Sequence, residues 1–152
     1  MLLVLFDSAE RIRAVLSLEW DQVDVDGGWI LFRAESRKGQ RADSICRIAP
    51  DTQQAMANLR KYAEPKPFDW PFCDKYIWVR YGKLLKRAGL PNDRHRKFHC
   101  VRRTTASHLE AAGGNATDAL RHSSRRVTMA YLDPRIVQPS QPIDLLWRPD
   151  AG

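Results

Sequence analysis

The chain has 152 residues, 43% hydrophobic and 28% charged, which suits one globular domain with its own core and leaves no room for a second full one. A formal net charge of +7 favours an acidic polymer as partner, because Lys and Arg side chains neutralise phosphates and release counterions. The apolar start Met1-Leu2-Leu3-Val4-Leu5-Phe6 stops at Asp7, too short for a signal-peptide core or a membrane span, and Cys46, Cys73 and Cys100 are too sparse for a disulfide framework.

In chain order, Asp7 and Ser8 separate two apolar stretches and predict a capped helix over about 9–18, with Arg11 in its first turn. Trp29-Ile30-Leu31-Phe32-Arg33 is rich in strand formers, and Ser44-Ile45-Cys46-Arg47-Ile48 alternates with the period of a half-buried strand. The polar segment between them predicts a hairpin turn. Pro50-Asp51 opens a helix through about Lys61, and a proline-rich connection runs from Glu64 to Pro71.

The second half reads as helical. Asp74 is expected to cap a helix over 75–88, whose apolar face draws on Tyr76, Val79, Leu84 and Leu85, and Gly89-Leu90-Pro91 ends it. A helix over 99–112 stops at Gly113-Gly114. Two short helices, 116–121 and 124–130, deliver His122 and Tyr131. The expected class is mainly α with a small antiparallel β-hairpin or sheet, an α+β fold. Residues 1–137 form the domain, and the prolines beyond Pro134 make 138–152 an irregular tail.

His99 and Arg102 are three apart and share a helical face, so imidazole and guanidinium can converge on one cluster of oxygens. Arg103, four apart, lies on nearly the same face, and spacing alone does not choose between the two arginines. His108, nine residues beyond His99, points away and reads as structural. A zinc site is disfavoured because Cys100 diverges from His99 on the helix and no other ligand spacing is familiar. Kinase or nucleotidase chemistry is disfavoured too, for want of a Gly-rich phosphate loop after a strand.

Three segments stand in order: Glu10-Arg11-Ile12-Arg13-Ala14-Val15-Leu16-Ser17-Leu18-Glu19-Trp20, His99-Cys100-Val101-Arg102, and the run from His122 to Tyr131 and Pro134. Together they resemble the catalytic end of a tyrosine recombinase, the phage-integrase family. A lone tyrosine on a short helix is ordinarily a packing residue, and Arg11 alone could be a snorkelling surface cation. The order of all the pieces is what sets these readings aside.

The resemblance implies a recombinase-type catalytic domain and site-specific DNA recombination by two transesterifications, with no metal or other cofactor. It assigns Arg11, Lys38, His99, Arg102, His122 and Tyr131 to catalysis. Tyr131 would form a 3'-phosphotyrosyl link, and Lys38, in the hairpin turn, would protonate the departing 5' oxygen. Arg37, Arg41 and Arg103 would contact the DNA backbone. The partners implied are double-stranded DNA and other recombinase protomers, without a membrane, in the cytoplasm or on the nucleoid of a prokaryote.

The chain departs from the family pattern at four places, one of them a connection from Gly113-Gly114 to His122 that is a few residues shorter than in many integrases. Arg121 stands where Gly is common and is expected to bear on how His122 is presented; Ala14 stands where an acid is common, which bears on how firmly Arg11 is held. Only ten residues precede Arg11, so the catalytic domain is expected to lack its usual amino-terminal portion. A weakly active or inactive remnant that binds DNA or a recombinase partner is therefore the second reading. A type IB topoisomerase-like enzyme is a third, disfavoured by size.

Overall fold

Helix α1, Leu2–Ser8, opens the fold and α2, Ile12–Leu16, follows it. The computed structural model describes residues 1–36, 42–63, 65–71, 73–93 and 97–138. The expected turn residues Arg37, Lys38 and Arg41 and the expected tail from residue 139 onward lie outside those described.

The predicted helix over 9–18 is not continuous. Ala9 takes a left-handed conformation, φ 51°, that closes α1, and Arg11 is the extended residue immediately before α2 rather than a member of its first turn. Nor do Asp7 and Ser8 cap α2. The Ser8 hydroxyl donates back to the Val4 carbonyl at 2.6 Å, whereas an Asp7 carboxylate oxygen accepts from the backbone N–H of Ala49 at 3.0 Å, tying α1 to the residue before Pro50.

Three strands follow: β1, Val23–Asp24, β2, Trp29–Phe32, and β3, Ser44–Arg47. They form one antiparallel sheet in the order β1-β2-β3, with Val23 opposite Ile30 and Ile30 opposite Cys46. Alternation along β2 sends Ile30 and Phe32 fully into the core, each burial contributing about 2 kcal/mol, and leaves Trp29 outside beneath the Arg47 guanidinium. The two-residue β1 was not expected; it is too short for its own period to show.

Helix α3, Pro50–Arg60, begins with proline at its first position, where a missing N–H costs nothing. Helix α4 spans Asp74–Arg87, with Cys73 rather than Asp74 at its cap position. Its inward face is Ile77, Tyr81 and Leu85, spaced by four, whereas Tyr76, Val79 and Leu84 are exposed, contrary to expectation. Choosing an apolar stripe from a helix with seven apolar or aromatic residues was a matter of phase, and Ile77 and Tyr81 lock that phase by packing on the main core, Tyr81 stacking on Phe98 at 4.1 Å.

Helix α5, Phe98–Ala111, buries Phe98, Val101, Arg102 and Ala106 on one stripe and packs against α1. Helix α6, Ala116–Leu120, is capped by the Asn115 side chain, which accepts from Thr117 N at 3.0 Å and Asp118 N at 3.2 Å. Helix α7, Arg125–Met129, packs on α6. A smaller core of Ala9, Ala106, Ala116, Leu120 and Leu132 joins α1, α5 and α6, and Tyr131 packs against it. Among the described residues no helix is long and apolar enough to cross a membrane.

Candidate active site

Arg102 is 3% exposed, an unusual place for a guanidinium unless several acceptors surround it. Its Nη1 donates to the Ala9 carbonyl and its Nη2 to the Leu120 carbonyl at 2.7 Å. Those two carbonyls close α1 and α6, where backbone acceptors lack partners within the helix and the helix dipole is negative. Arg102 thus staples two helix ends while staying charged. A left-handed non-glycine residue lies at each end, Ala9 and Arg121, at a cost of about 1–2 kcal/mol apiece.

Tyr131, just beyond α7, lies between two imidazoles. Its ring stands edge-on to His99 at a centroid distance of 4.9 Å and to His122 at 5.4 Å. Its hydroxyl is buried beside the Arg102 guanidinium and, among the described residues, makes no hydrogen bond of normal geometry. The backbone holds the ring in place: Tyr131 N donates to Thr128 O at 2.8 Å, and Arg103 Nε donates to Tyr131 O at 3.1 Å.

His122 leaves α6 through the left-handed Arg121, its backbone N–H bonding to Thr117 O at 3.0 Å. Its Nδ1 is 3.1 Å from the Thr128 hydroxyl, which is completely buried. This contact fixes the ring and leaves Nε2 for the pocket. Arg121, the residue standing where Gly is common, adopts the left-handed conformation that glycine would supply.

Arg11 is exposed at the head of α2 and borders a cleft of about 530 Å³ that His99, Trp78, Glu35 and Ser36 also line. It shares this cleft with His99, and its charge bears on His99, His122, Arg102 and Tyr131. Ala14 is in the main core, and the carboxylate nearest the Arg11 backbone is that of Glu10. Of the six expected catalytic residues, the structure brings together Arg11, His99, Arg102, His122 and Tyr131; Lys38 lies outside the described residues. Arg103, expected at the DNA backbone, is partly buried and uses its Nε on Tyr131. His108 is exposed in the last turn of α5, away from the pocket.

Electrostatics divide the roles. Burial, then the Arg102 and Arg11 charges, lower the pKa of His122; burial followed by Arg102, Arg11, Arg103 and His122 does the same to His99. Both imidazoles are therefore neutral near pH 7 and able to accept a proton. Burial raises the Tyr131 pKa, against the opposing pull of Arg102, Arg11 and Arg103. The phenol stays protonated in this closed pocket.

Sequence reasoning did not find Glu10, buried beside Arg102, or Thr128, buried beneath His122. Thr128 carried a usable signal, since it stands three residues before Tyr131 on the same helical face. Glu10 carried none beyond its adjacency to Arg11.

The fold is that of a tyrosine-recombinase catalytic domain. The chain is homologous to tyrosine recombinase XerC: the Xylella fastidiosa strain M23 protein is 25% identical over 145 residues, covering 86% of this chain and 46% of XerC, and the strain Temecula1 protein matches equally. The chain thus spans about half the length of these curated relatives. Among solved structures, the XerA recombinase crystal structure matches with a TM-score of 0.70 at 22% identity, over 88% of this chain and 51% of that one. The Tn1549 transposon integrase in complex with transposon right end DNA matches at 0.75 and 15% identity, over 95% and 55%. No family model matches the chain.

Proposed function

We propose that this chain cuts and rejoins DNA strands in site-specific recombination, through a 3'-phosphotyrosyl link at Tyr131. The observation that carries the reading is the placement of the Tyr131 hydroxyl against Arg102, with the ring flanked by two neutral imidazoles. A phosphodiester resists attack because nucleophile and non-bridging oxygens are both electron-rich, so charge on the phosphate must be neutralised first. Arg102 and Arg11 supply fixed positive charge, and guanidinium matches two phosphate oxygens at once.

As phosphate enters, the Tyr131 oxygen forms a bond to phosphorus and its proton passes to a neighbouring imidazole, His99 or His122. The bond from phosphorus to the 5' oxygen breaks, and Lys38 donates the proton that makes this oxygen a hydroxyl. A 5'-hydroxyl from a partner strand then reverses the sequence, restoring the tyrosine and sealing the new junction. No bond energy is lost to hydrolysis, so no nucleotide is needed. Arg37, Arg41 and the remaining nitrogens of Arg103 are assigned to DNA phosphates around this pocket.

The similarity to XerC and to an integrase solved with DNA supports double-stranded DNA as substrate and further recombinase protomers as partners. Such a substrate supports a cytoplasmic location, on the nucleoid if the source is prokaryotic. The test is a nicked duplex, whose broken strand prevents religation. The chain is expected to leave a denaturation-resistant protein–DNA adduct. Salt-sensitive duplex binding without any adduct would overturn the enzymatic reading in favour of a DNA-binding remnant.

A further inference from the structure

The cleft beside Arg11 has walls of unlike character. Residues 10–14, at the start of α2, line one of them and bring two arginines and a glutamate; Glu35 and Ser36, just beyond β2, line another, and Trp78, Phe98 and His99 a third. Its volume of about 530 Å³ is in the range of pockets that take up a small organic ligand. The aromatic wall is firmly backed. Trp78 and Tyr81, three apart on α4, both rest on Phe98, Tyr81 stacking at 4.1 Å and Trp78 lying tilted at 4.9 Å. Phe98 is 3% exposed, whereas Trp78 is 37% exposed. An indole held on one side by Phe98 and open to a cleft offers its face to a second flat ring.

Charge decides which part of a DNA strand this wall can take. Arg11 is assigned to phosphate, but a further phosphate pressed against Trp78, Phe98 and the Glu35 carboxylate would lose hydration and meet a like charge. A nucleobase meets neither penalty. Every base has a π-face, and stacking on an aromatic side chain needs no particular sequence.

We propose that the cleft is a nucleoside subsite, in which the base adjoining the phosphate held by Arg11 stacks on Trp78. The proposal rests on the recombinase reading, which puts phosphate on Arg11. Leaving the duplex stack costs a base least where the helix is already disturbed. The proposed reaction breaks one strand, and the nucleotide at the break must part from one complementary strand before it joins another. A base held on Trp78 in that interval keeps the strand end beside His99, whose ring meets that of Tyr131.

The test uses two small probes of equal charge. 2'-Deoxyadenosine 3',5'-bisphosphate carries phosphate on both sides of one nucleoside, and the abasic 1,2-dideoxyribose 3',5'-bisphosphate lacks only the base. Each is titrated into the isotope-labelled chain and followed by NMR, the Trp78 indole N–H being identified by its loss in Trp78→Phe. The nucleoside probe should shift that signal and bind at least about fivefold more tightly than the abasic one. Trp78→Leu should remove this advantage while leaving affinity for the abasic probe within about twofold, and Trp78→Phe should keep most of it. A tryptophan that merely packs on Phe98 would affect both probes alike.

No shift at Trp78, equal affinity of the wild-type chain for the two probes, or a folded Trp78→Leu chain that still prefers the nucleoside overturns the proposal. If Trp78→Leu does not accumulate folded, Trp78→Met takes its place. The titration involves no covalent step. A wild-type chain that prefers the nucleoside yet forms no adduct on nicked duplex would therefore support the subsite and count against the strand-transfer reading alone.

Discussion

Arg103 and Tyr131 are joined by a hydrogen bond of 3.1 Å from the guanidinium Nε to the tyrosine's backbone carbonyl, across 28 residues of sequence. The bond fixes the main chain of the proposed nucleophile to α5, the helix that also carries His99 and Arg102. Arg103→Met keeps the aliphatic stem and removes the donor. It should cost about 1–2 kcal/mol of unfolding free energy and speed amide exchange around residues 128–132. Exchange at wild-type rates there would mean that the bond does not restrain Tyr131.

Arg102 serves the fold as well as the proposed chemistry. Arg102→Ala leaves the Ala9 and Leu120 carbonyls without a buried donor, so urea unfolding should show a loss of about 2–4 kcal/mol. A loss in reaction rate by this variant is therefore interpretable only alongside its stability. A variant as stable as wild type would contradict the role of Arg102 at the two helix ends.

Thr128 separates the orientation of a proposed catalytic group, His122, from the stability of the fold. Valine has its shape but lacks the hydroxyl that sits 3.1 Å from His122 Nδ1. Thr128→Val should change stability by less than about 1.5 kcal/mol while slowing adduct formation by about tenfold, because the imidazole loses the partner that fixes its ring. An unchanged rate would show that His122 is oriented by other contacts.

Acid should weaken the fold before carboxylates titrate. The folded-state pKa values of His99 and His122 lie below the ordinary 6.5, chiefly through burial and the Arg102 charge, so the unfolded chain takes up protons first as pH falls. Their contribution to stability is present above about pH 6.5 and is lost between that pH and the lower folded values. Thermal unfolding between pH 7.5 and about 5.5 should show a falling midpoint, with a smaller slope in a His99→Gln, His122→Gln double variant. A slope that is the same in both would remove these histidines as its source.

The parts of the fold that local chemistry dictates were legible. Pro50 announced α3, Gly113-Gly114 announced the end of α5, and strand-forming composition placed β2, and alternation β3, within a residue of their observed ends. The three-residue spacing put His99 and Arg102 on one face, although Arg102 lies deep and His99 open to solvent. What stayed hidden was set by tertiary contacts. Ala9 is a helix former by propensity, yet it breaks the helix because its carbonyl is claimed by Arg102, 93 residues away. Arg121 pairs with a buried glutamate, Glu10, that nothing in the local pattern marked as its partner.

The central claim is that Tyr131 is the nucleophile, and the most direct measurement compares wild-type and Tyr131→Phe chains on one nicked duplex after denaturation. Phenylalanine removes only the phenolic oxygen, so ring packing on His99 and His122 and salt-sensitive DNA binding should persist. The wild-type chain should form a covalent adduct that peptide mapping places on Tyr131, and the variant should form none. Equal adduct yield from the two chains, or an adduct on another residue, would contradict the account.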